Sequence, residues 1–283
     1  MVRRDPQAFG HPHARWHLAT LRESLSWLTL TSQPGLWRLL DRLGIHYQRA
    51  RDYVHSPDPH YAAKLALIAE RRAEAWAAPE RYVLVWVDEA GYYRQPSLAR
   101  AYEQAGPRQP LAYRSYAANS QMRIVAALRA FTGQVTFQQH RVIGLEALPT
   151  FWQAVQAAYP WAETIYAVVD NWPIHFHPDV LACLEPQRHL HWPRHTPAHW
   201  RVKPSRSALR LNLPIQLLGL PTYASWCNPI EKLWRWLRQN VLHLHRLADD
   251  WPALRQRVAE ALDGFSQGSQ ELLHYVGLLP AVT

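Results

Sequence analysis

The chain has 283 residues, of which 48% are hydrophobic, so it is long enough for one large core and a small second one. Lysine and arginine total 31 against 22 acidic residues, and the net charge of +9 indicates a polyanionic partner. This composition argues against global disorder, and two cysteines, Cys183 and Cys227, argue against a disulfide framework. No apolar run reaches the roughly 18 residues of a membrane span, and residues 1–10 lack the apolar centre of a secretory signal, so we expect a cytoplasmic location.

Two helices are predicted near the N-terminus. Apolar residues recur at helical spacing over 16–28. A second helix starts near Ser32 and stops at Gly44. The short connection makes the pair a helix-turn-helix candidate, with Arg38 and Arg42 of the second helix as expected DNA contacts. An ordinary helical hairpin is the alternative interpretation.

Proline and charge mark a boundary after these helices. Arg49 and Arg51, two further expected DNA contacts, precede the stretch Ser-Pro-Asp-Pro at 56–59, which is typical of a linker. A helix is predicted over 61–77, before Pro79. The predicted domains are a helix-turn-helix region at 1–55, a linker with a connecting helix at 56–80, and a larger α/β domain at 81–283.

From Tyr82 onward the pattern is mixed α/β. Buried strands are predicted at 82–88 and 164–170, because both are short, apolar and rich in β-branched residues. A hairpin is predicted over 123–140, with its turn at Thr132-Gly133. The remaining predicted elements are a strand at 213–220 and helices at 146–158, 180–184, 228–245, 251–265 and 270–276. This order predicts one central mixed sheet flanked by helices.

A long basic segment interrupts this pattern at 185–212. It contains four prolines and is predicted to be mostly irregular, and loops of this length are usually functional or mobile. Its cations, with Lys232 and Arg235 of the next helix, are expected to contact a polyanion backbone. The cations concerned are Arg194, Arg201, Lys203, Arg206 and Arg210. A solvated face is the alternative interpretation.

Two acidic residues end matched apolar runs. Asp88 ends Val-Leu-Val-Trp-Val-Asp, and Asp170 ends Ile-Tyr-Ala-Val-Val-Asp. Side chains just beyond the carboxyl ends of adjacent strands line the crevice of an open α/β sheet, so we expect the two carboxylates to lie close together. The alternative is that each aspartate only caps the turn that follows its strand.

A third acid, Glu231, opens a predicted helix. Asn228 is a good N-cap and Pro229 a good first helical residue, which puts Glu231 at the third helical position. A capping-box glutamate is the alternative interpretation. Trp234 and Leu237 give this helix an apolar face that can pack on the sheet and bring its start to the strand ends.

Three carboxylates gathered in this way suit a pair of divalent cations, because Mg²⁺ favours carboxylate and water oxygens. Two ions about 3.5–4 Å apart clamp the attacking and leaving oxygens of an in-line phosphoryl displacement. We expect Asp88 to bridge both ions, with Asp170 and Glu231 as the outer ligands. For a protein of net charge +9, the natural substrate is a phosphodiester.

The motifs resemble those of DDE-type transposases of bacterial insertion sequences, in the branch related to the mariner elements. The resemblance rests on Val-Asp-Glu at 87–89, on Asp-Asn at 170–171 followed by His175, and on Asn-Pro-Ile-Glu-Lys-Leu-Trp at 228–234. It spans residue 32 to the C-terminus and implies a ribonuclease H-like core with two Mg²⁺ ions, or Mn²⁺ in their place. The residues expected to hold the three acids in position are Glu89, Asn171, His175 and Asn228.

The resemblance implies cleavage of DNA at insertion-sequence ends and transfer of the freed 3′-hydroxyl into target DNA. The implied partners are double-stranded DNA, as terminal repeats and as a TA-containing target, and further copies of the chain in a dimer or higher assembly. The implied location is the bacterial nucleoid. Two alternatives stay open: a catalytically idle, transposase-derived DNA-binding protein or repressor, and a nuclease that never joins strands.

Three features depart from the family pattern. Ala-Ser-Trp-Cys at 224–227 replaces the usual Ser-Pro-x-Leu. The second and third acids are 61 residues apart (231 minus 170), a longer spacing than is usual, and the basic insertion accounts for the excess. One helical unit precedes Asp88 where such transposases usually carry two, so a partial, split or frameshifted product is one interpretation.

Histidine and tryptophan are abundant, with 16 and 14 residues. A structural zinc site is the less favoured interpretation of the histidines, and solvated loop side chains are preferred, with His175 as a partner of Asp170. The tryptophans are expected to lie mostly in the core. Four of them are also candidates to stack on unpaired bases: Trp172, Trp192, Trp200 and Trp226.

Overall fold

The computed structural model describes residues 1–30, 32–48, 55–192 and 196–279. The chain divides into two compact units, Met1–Val54 and His55–Thr283. Within the described ranges, no helix combines the length and the apolar character that crossing a membrane requires.

The first unit is helical, as predicted. Its elements are a 3-10 turn (Pro6–Phe9), α1 (Leu18–Ser24) and α2 (Gln33–Arg42). Ser32 caps α2, because its Oγ accepts a hydrogen bond from the Gly35 amide at 3.2 Å. Gly44 follows the helix with φ at +68°, a conformation that glycine adopts without strain. Leu21 and Leu36 are buried between the elements.

The second unit is built on one mixed five-stranded sheet, as predicted. The strands lie in the order β3-β2-β1-β4-β5. The pairs β1/β2 and β2/β3 are antiparallel, and the pairs β1/β4 and β4/β5 are parallel. The strands are β1 (Tyr82–Tyr93), β2 (Gln121–Arg129), β3 (Val135–His140), β4 (Thr164–Val169) and β5 (Ile215–Gly219).

Helices cover both faces of the sheet because its side chains alternate between two apolar layers. Leu84 and Trp86 of β1 face the layer that contains α3, α6, α7 and α8. Val83, Val85 and Val87 face the layer of α4 and α5. The helices are α3 (Tyr61–Ala77), α4 (Ala147–Ala158), α5 (Pro178–Leu181), α6 (Ile230–Leu237), α7 (Trp251–Asp263) and α8 (Gln270–Val276).

The prediction that β1 ends at Asp88 is wrong, since the strand continues to Tyr93. Antiparallel pairing with β2 holds the whole second half of β1, including Asp88 opposite Ala126. Parallel pairing with β4 stops earlier, at Trp86 opposite Val168. Asp88 is therefore inside a strand, yet it still lies just beyond the carboxyl end of the central parallel pair.

The predicted helix over 228–245 is shorter than expected. Regular α-helix ends at Leu237, and a π-helical turn follows over Arg238–Leu242. His243 then leaves the helix in an extended conformation and forms a β-bridge with Ser97. The bridge, together with a 2.8 Å hydrogen bond between Ser97 Oγ and His243 Nδ1, competes with further helical turns.

The basic insertion covers the outer edge of the sheet. Its described residues, 185–192 and 196–212, form no helix or named strand, as predicted. Gln187 accepts a hydrogen bond from the Leu217 amide of β5 at 2.8 Å and donates one to the Ile215 carbonyl at 3.0 Å. Gln216 donates to the Pro186 carbonyl at 3.2 Å. The Gln187 amide thus occupies two backbone groups of β5 that an exposed edge strand would offer to another chain.

Candidate active site

Asp88 is the most enclosed of the three predicted acids. Alternation along β1 places it on the face of Leu84 and Trp86, towards α6. From α6, Trp234 Nε1 donates a hydrogen bond to Asp88 Oδ2 at 2.8 Å. Burial, together with the negative charge of Glu231, raises the pKa of Asp88 to about 7. The hydrogen bond from Trp234 thus holds the carboxyl group in one orientation.

Asp170 is the first residue after β4, which ends at Val169. Its Oδ1 accepts a hydrogen bond from the Trp172 amide at 2.8 Å, so it does cap the following turn. Its side chain is nevertheless 47% exposed, and Oδ1 lies 3.5 Å from His175 Nε2. Burial raises the pKa of Asp170, while the neighbouring imidazole acts in the opposite direction. Asp170 can therefore cap the turn and also take part in the candidate site.

Glu231 is the second residue of α6 and is exposed. The predicted N-cap role of Asn228 is wrong: Pro229 holds the cap position, and no side-chain hydrogen bond caps the helix. Asn228 Nδ2 instead donates to the Val87 carbonyl at 3.2 Å, where β4 no longer pairs with β1. This bond joins the start of α6 to the backbone directly before Asp88.

Two electrostatic interactions connect the three predicted acids, one between Glu231 and Asp88 and one between Asp170 and Glu231. Burial is the larger cause of the raised pKa of Asp88, and the charge of Glu231 adds to it. Burial also raises the pKa of Glu231, against the opposing charge of Arg238, and Asp170 adds to the rise. Carboxylates affect each other in this way only when they lie close together. Asp88, Asp170 and Glu231 therefore converge from β1, the end of β4 and the start of α6.

A tighter cluster involves the opposite face of β1. Glu89 Oε1, Asp170 Oδ1 and His175 Nε2 all lie within 4.8 Å of one another, and the imidazole nitrogen is 3.4 Å from Glu89 and 3.5 Å from Asp170. Among described residues, it is the one group of three acidic, His or Cys side chains at such close spacing. His175 and Glu89 thus connect Asp170, at the end of β4, to the neighbouring strand β1.

His175 lies within this cluster and is fully buried, at 1% exposure. It belongs to the 3-10 turn Pro173–Phe176, and the Trp172 ring packs against it edge to face. Burial alone would lower the pKa of His175, but the carboxylates of Glu89 and then Asp170 raise it above its usual value. The imidazole is held between the two acids and restrains Asp170 from its buried side.

The donor atoms of the site fit a divalent cation. Besides the three carboxylates, two buried oxygens form no hydrogen bond with any described residue: Asn228 Oδ1 and Glu89 Oε1, the second of which is ion-paired with His175. Buried polar atoms of this kind are rare and usually have a water, an ion or a catalytic role as their explanation. An oxygen-rich set of carboxylate and amide atoms is what Mg²⁺ and Mn²⁺ prefer.

Asn171 connects the ends of two neighbouring strands. Its Nδ2 donates to the Leu220 carbonyl, just beyond β5, at 2.7 Å. Because Asn171 follows Asp170 directly, the bond holds the end of β4 against the end of β5. All four residues predicted to hold the acids, 89, 171, 175 and 228, thus lie beside them, and their functional roles stay predictions.

The predicted DNA contacts fall in both units. Arg38 and Arg42 are exposed on α2 of the first unit. On α6, which carries Glu231, Arg235 is exposed and Lys232 is half-buried. Exposed in the insertion are Arg201, Lys203, Arg206 and Arg210. Outside the described residues lie Arg49, Arg51 and Arg194.

Two polar groups were missed from the sequence, one at the site and one outside it. Trp234 was assigned only to the apolar face of its helix, whereas its indole nitrogen holds Asp88. The available signal was its position three residues after Glu231, which puts both side chains on neighbouring parts of the helix surface. The second group is a buried ion pair between Asp58 and Lys64 in and beside the predicted linker. No local pattern pointed to it.

A mixed sheet in this order, with acids at the end of its central parallel pair and on the adjacent helix, defines the ribonuclease H-like class of proteins. The sequence matches the family model of the DDE superfamily endonucleases over residues 83–255. That match covers more than half of the chain, and the chain belongs to the DDE superfamily endonuclease family.

One curated relative is an uncharacterized 39 kDa protein of insertion element IS630 from Shigella sonnei. It is 22% identical over 258 residues, which cover 90% of this chain. The match covers 66% of the relative, so the chain spans slightly less than two thirds of its length.

Solved structures with the same fold are complexes of the mariner protein Mos1. The paired end complex with Mn superposes with a TM-score of 0.61 at 14% identity, covering 97% of this chain and 74% of the other. The paired end complex with Mg gives 0.61 at 14% identity over 96% and 74%. The strand transfer complex gives 0.56 at 14% identity over 96% and 72%. Together with the family match, these likenesses confirm the ribonuclease H-like fold and the predicted resemblance to mariner-related DDE transposases.

Proposed function

We propose that the chain is a transposase that cleaves DNA at insertion-sequence ends and joins the freed 3′-hydroxyl to target DNA. The observation that carries this proposal is the placement of Asp88 and Asp170 beyond the end of the parallel pairing between β1 and β4, with α6 and its Glu231 joined to β1 by hydrogen bonds. Membership of the DDE superfamily endonucleases supports the nuclease step. Support for strand transfer comes from the fold likeness to Mos1, solved as a strand transfer complex.

The three acids would hold two divalent cations, with Asp88 as the shared ligand and Asp170 and Glu231 on one ion each. We propose Mg²⁺, with Mn²⁺ as the alternative, and Mos1 complexes with each metal support this choice. When bound, the cations would stabilise the charge on the phosphodiester oxygens and make the attacking water or 3′-hydroxyl more acidic.

Protein side chains set the geometry for this chemistry. Trp234 fixes one oxygen of Asp88 and with it the orientation of that carboxylate. His175, held by Glu89, restrains Asp170 from the buried side. Asn228 fixes the start of α6 and with it Glu231. Each acid thus has a protein partner that limits its motion, which is the arrangement that metal ligands require for high affinity.

Basic residues of both units would bind the DNA backbone. In the insertion and on α6, the proposed contacts are Arg194, Arg201, Lys203, Arg206, Arg210, Lys232 and Arg235. In the first unit they are Arg38, Arg42, Arg49 and Arg51. We propose that residues 1–55 recognise the element end as a helix-turn-helix region and that 81–283 carry out the chemistry, with 56–80 as connection. Mos1 was solved as a paired end complex, which supports assembly of two copies on DNA.

The direct test is metal-dependent cleavage of DNA that carries the ends of the encoding insertion element. We expect Asp170→Asn and Glu231→Gln to bind the DNA as the wild type does and to lose cleavage. A matched control is Asp263→Asn, which removes an exposed acid at the end of α7 and should cleave normally.

The same experiment separates the alternatives. A wild-type chain that binds the ends but does not cut them, in Mg²⁺ or in Mn²⁺, would favour the idle DNA-binding protein. Cutting without any joined product, when target DNA is supplied, would favour a nuclease that never joins strands.

A further inference from the structure

A buried ion pair lies outside the group of Asp88, Asp170 and Glu231, at the start of the second unit. Lys64 Nζ of α3 is 2.7 Å from Asp58 Oδ2, and the two side chains are only 5% and 3% exposed. Burying two charges costs several kcal/mol per ion unless close contact and further hydrogen bonds offset it. An apolar pair of similar volume would be as stable or more stable at such a place. The pair therefore calls for an explanation other than stability.

Both oxygens of Asp58 are engaged. Oδ2 accepts from the Thr222 amide at 2.9 Å and from Thr222 Oγ1 at 3.3 Å, and Oδ1 accepts from the His60 amide at 2.8 Å. Ser56 adds a bond from its Oγ to the Thr222 carbonyl at 2.5 Å. Burial alone would raise the pKa of Asp58, but Lys64 and these backbone amides lower it to about 2. The carboxylate is therefore charged under all ordinary conditions.

One carbonyl group connects the ion pair to the strand end that carries Asp170. The Leu220 carbonyl accepts from Lys64 Nζ at 3.4 Å and from Asn171 Nδ2 at 2.7 Å. Asn171 directly follows Asp170, so the strand end that carries this acid is tied to the same carbonyl. Leu220 and Thr222 begin the loop that leads from β5 to α6.

The first residue of α3 holds the other end of this loop. Tyr61 Oη lies 3.6 Å from the Cys227 sulfur, in the 3-10 turn Ser225–Cys227 directly before Asn228. Residues 56–64 thus contact the β5–α6 loop at both of its ends. Asp170 lies beside one end of the loop, and Glu231 follows the other end within four residues of Cys227.

We infer that Asp58 and Lys64 are positioning residues, which clamp the β5–α6 loop and so set the spacing between Asp170 and Glu231. This inference rests on the proposed function, because the spacing matters only if both acids hold metal. Neither residue touches the acids. A looser loop would weaken metal binding while leaving every ligand in place, so high metal concentration should restore the reaction.

The test compares metal binding by the full chain with and without the pair. The double variant Asp58→Asn/Lys64→Met removes both charges and leaves no unpaired ion, and the asparagine oxygen can still accept from Thr222. We expect its half-saturating Mn²⁺ concentration to rise about 10-fold, the lower end of the range for residues that orient metal ligands. The measurement is an Mn²⁺ titration followed by electron paramagnetic resonance, with circular dichroism to verify the fold.

A matched control is Arg81→Met/Glu163→Gln, which removes an exposed ion pair of 2.8 Å elsewhere in the same unit. It should bind Mn²⁺ as the wild type does. Cleavage by the double variant Asp58→Asn/Lys64→Met should be slow at low Mn²⁺ and recover at saturating Mn²⁺. A purely structural role would lower the melting temperature without this dependence on metal concentration.

A milder variant covers the case in which Asp58→Asn/Lys64→Met does not fold. Ser56→Ala/Thr222→Val removes two hydroxyl contacts of the clamp and leaves the ion pair intact. It should shift the Mn²⁺ titration in the same direction by a smaller factor. A folded clamp variant with wild-type Mn²⁺ affinity overturns the inference. A wild-type chain that binds no Mn²⁺ contradicts the proposed function itself.

Discussion

Asp88 is buried beside a second acid, which makes its carboxyl group costly to ionise when no cation is bound. Its pKa in the folded chain is about 7, and an unfolded chain would have an aspartate pKa near 3.9. The folded state therefore holds a proton more tightly than the unfolded state does. It follows that Asp88 hardly changes the free energy of unfolding at about pH 4. As the pH rises to about 7, it lowers the free energy of unfolding of the metal-free chain increasingly.

Asp88→Asn should remove this cost. We expect the metal-free variant to unfold at a higher temperature than the wild type at pH 8, with a gain on the order of 1–4 kcal/mol that fades towards pH 4. Added Mn²⁺ should stabilise the wild type and have little effect on the variant. Thermal unfolding across this pH range is the measurement. A gain that does not change with pH would contradict the electrostatic explanation.

At the scale of elements, α6 does most to assemble the site. Its buried residues Leu233 and Leu237 pack it on the sheet, Asn228 fixes its start, and Trp234 reaches Asp88. The helix thereby sets the distance between Glu231 and the acid on β1.

Trp234→Phe should preserve this packing and remove only the hydrogen bond to Asp88. That bond lowers the pKa of Asp88, so its loss should raise the pKa further and move the rising limb of the cleavage rate to higher pH. The loss of one hydrogen bond should also cost about 0.5–1.5 kcal/mol of stability. The measurement is a pH–rate profile at a fixed Mn²⁺ concentration below saturation, where protons and metal compete for Asp88.

The control for this change is Trp236→Phe on the same helix, whose half-buried ring packs against Phe265. Its pH profile should match that of the wild type. Equal shifts in both variants would indicate a general effect of loosening α6.

Helices and strands were predicted correctly where the local sequence pattern determines their limits. The limits of α3 were predicted to the residue, because an apolar periodicity between two prolines defines them. The second half of β1 was missed, since Asp-Glu-Ala-Gly carries little strand signal and a distant partner, β2, holds it. Asn228 was misassigned for the same reason: the Val87 carbonyl that it contacts lies 141 residues away.

At the scale of the whole molecule, the charge of +9 reflects exposed cations in both units. A cation that binds a phosphate of duplex DNA releases counterions, and each such cation adds about 0.9 to the steepness with which the log binding constant falls with log salt. The insertion contributes Arg201 and Lys203, which are exposed.

Arg201→Gln/Lys203→Gln should therefore weaken DNA binding and reduce the salt slope by about 1–2, with unchanged Mn²⁺ affinity. Fluorescence anisotropy across a salt series measures both quantities. The control is Arg255→Gln/Arg257→Gln on α7, which removes the same charge from another surface. Indistinguishable slopes for the two variants would mean that net charge, and not the insertion, governs binding.

The sequence by itself determined the mixed α/β class, most element positions, the three candidate acids and the family resemblance. These are local properties, since apolar periodicity and short motifs involve residues that are close in the chain. Only the tertiary structure decided that Asp88 and Glu89 face opposite layers of the sheet, that Trp234 holds Asp88, and that Asp58 contacts Thr222 across 164 residues. Such contacts depend on which strands and loops become neighbours on folding, and no local pattern in a single sequence records that.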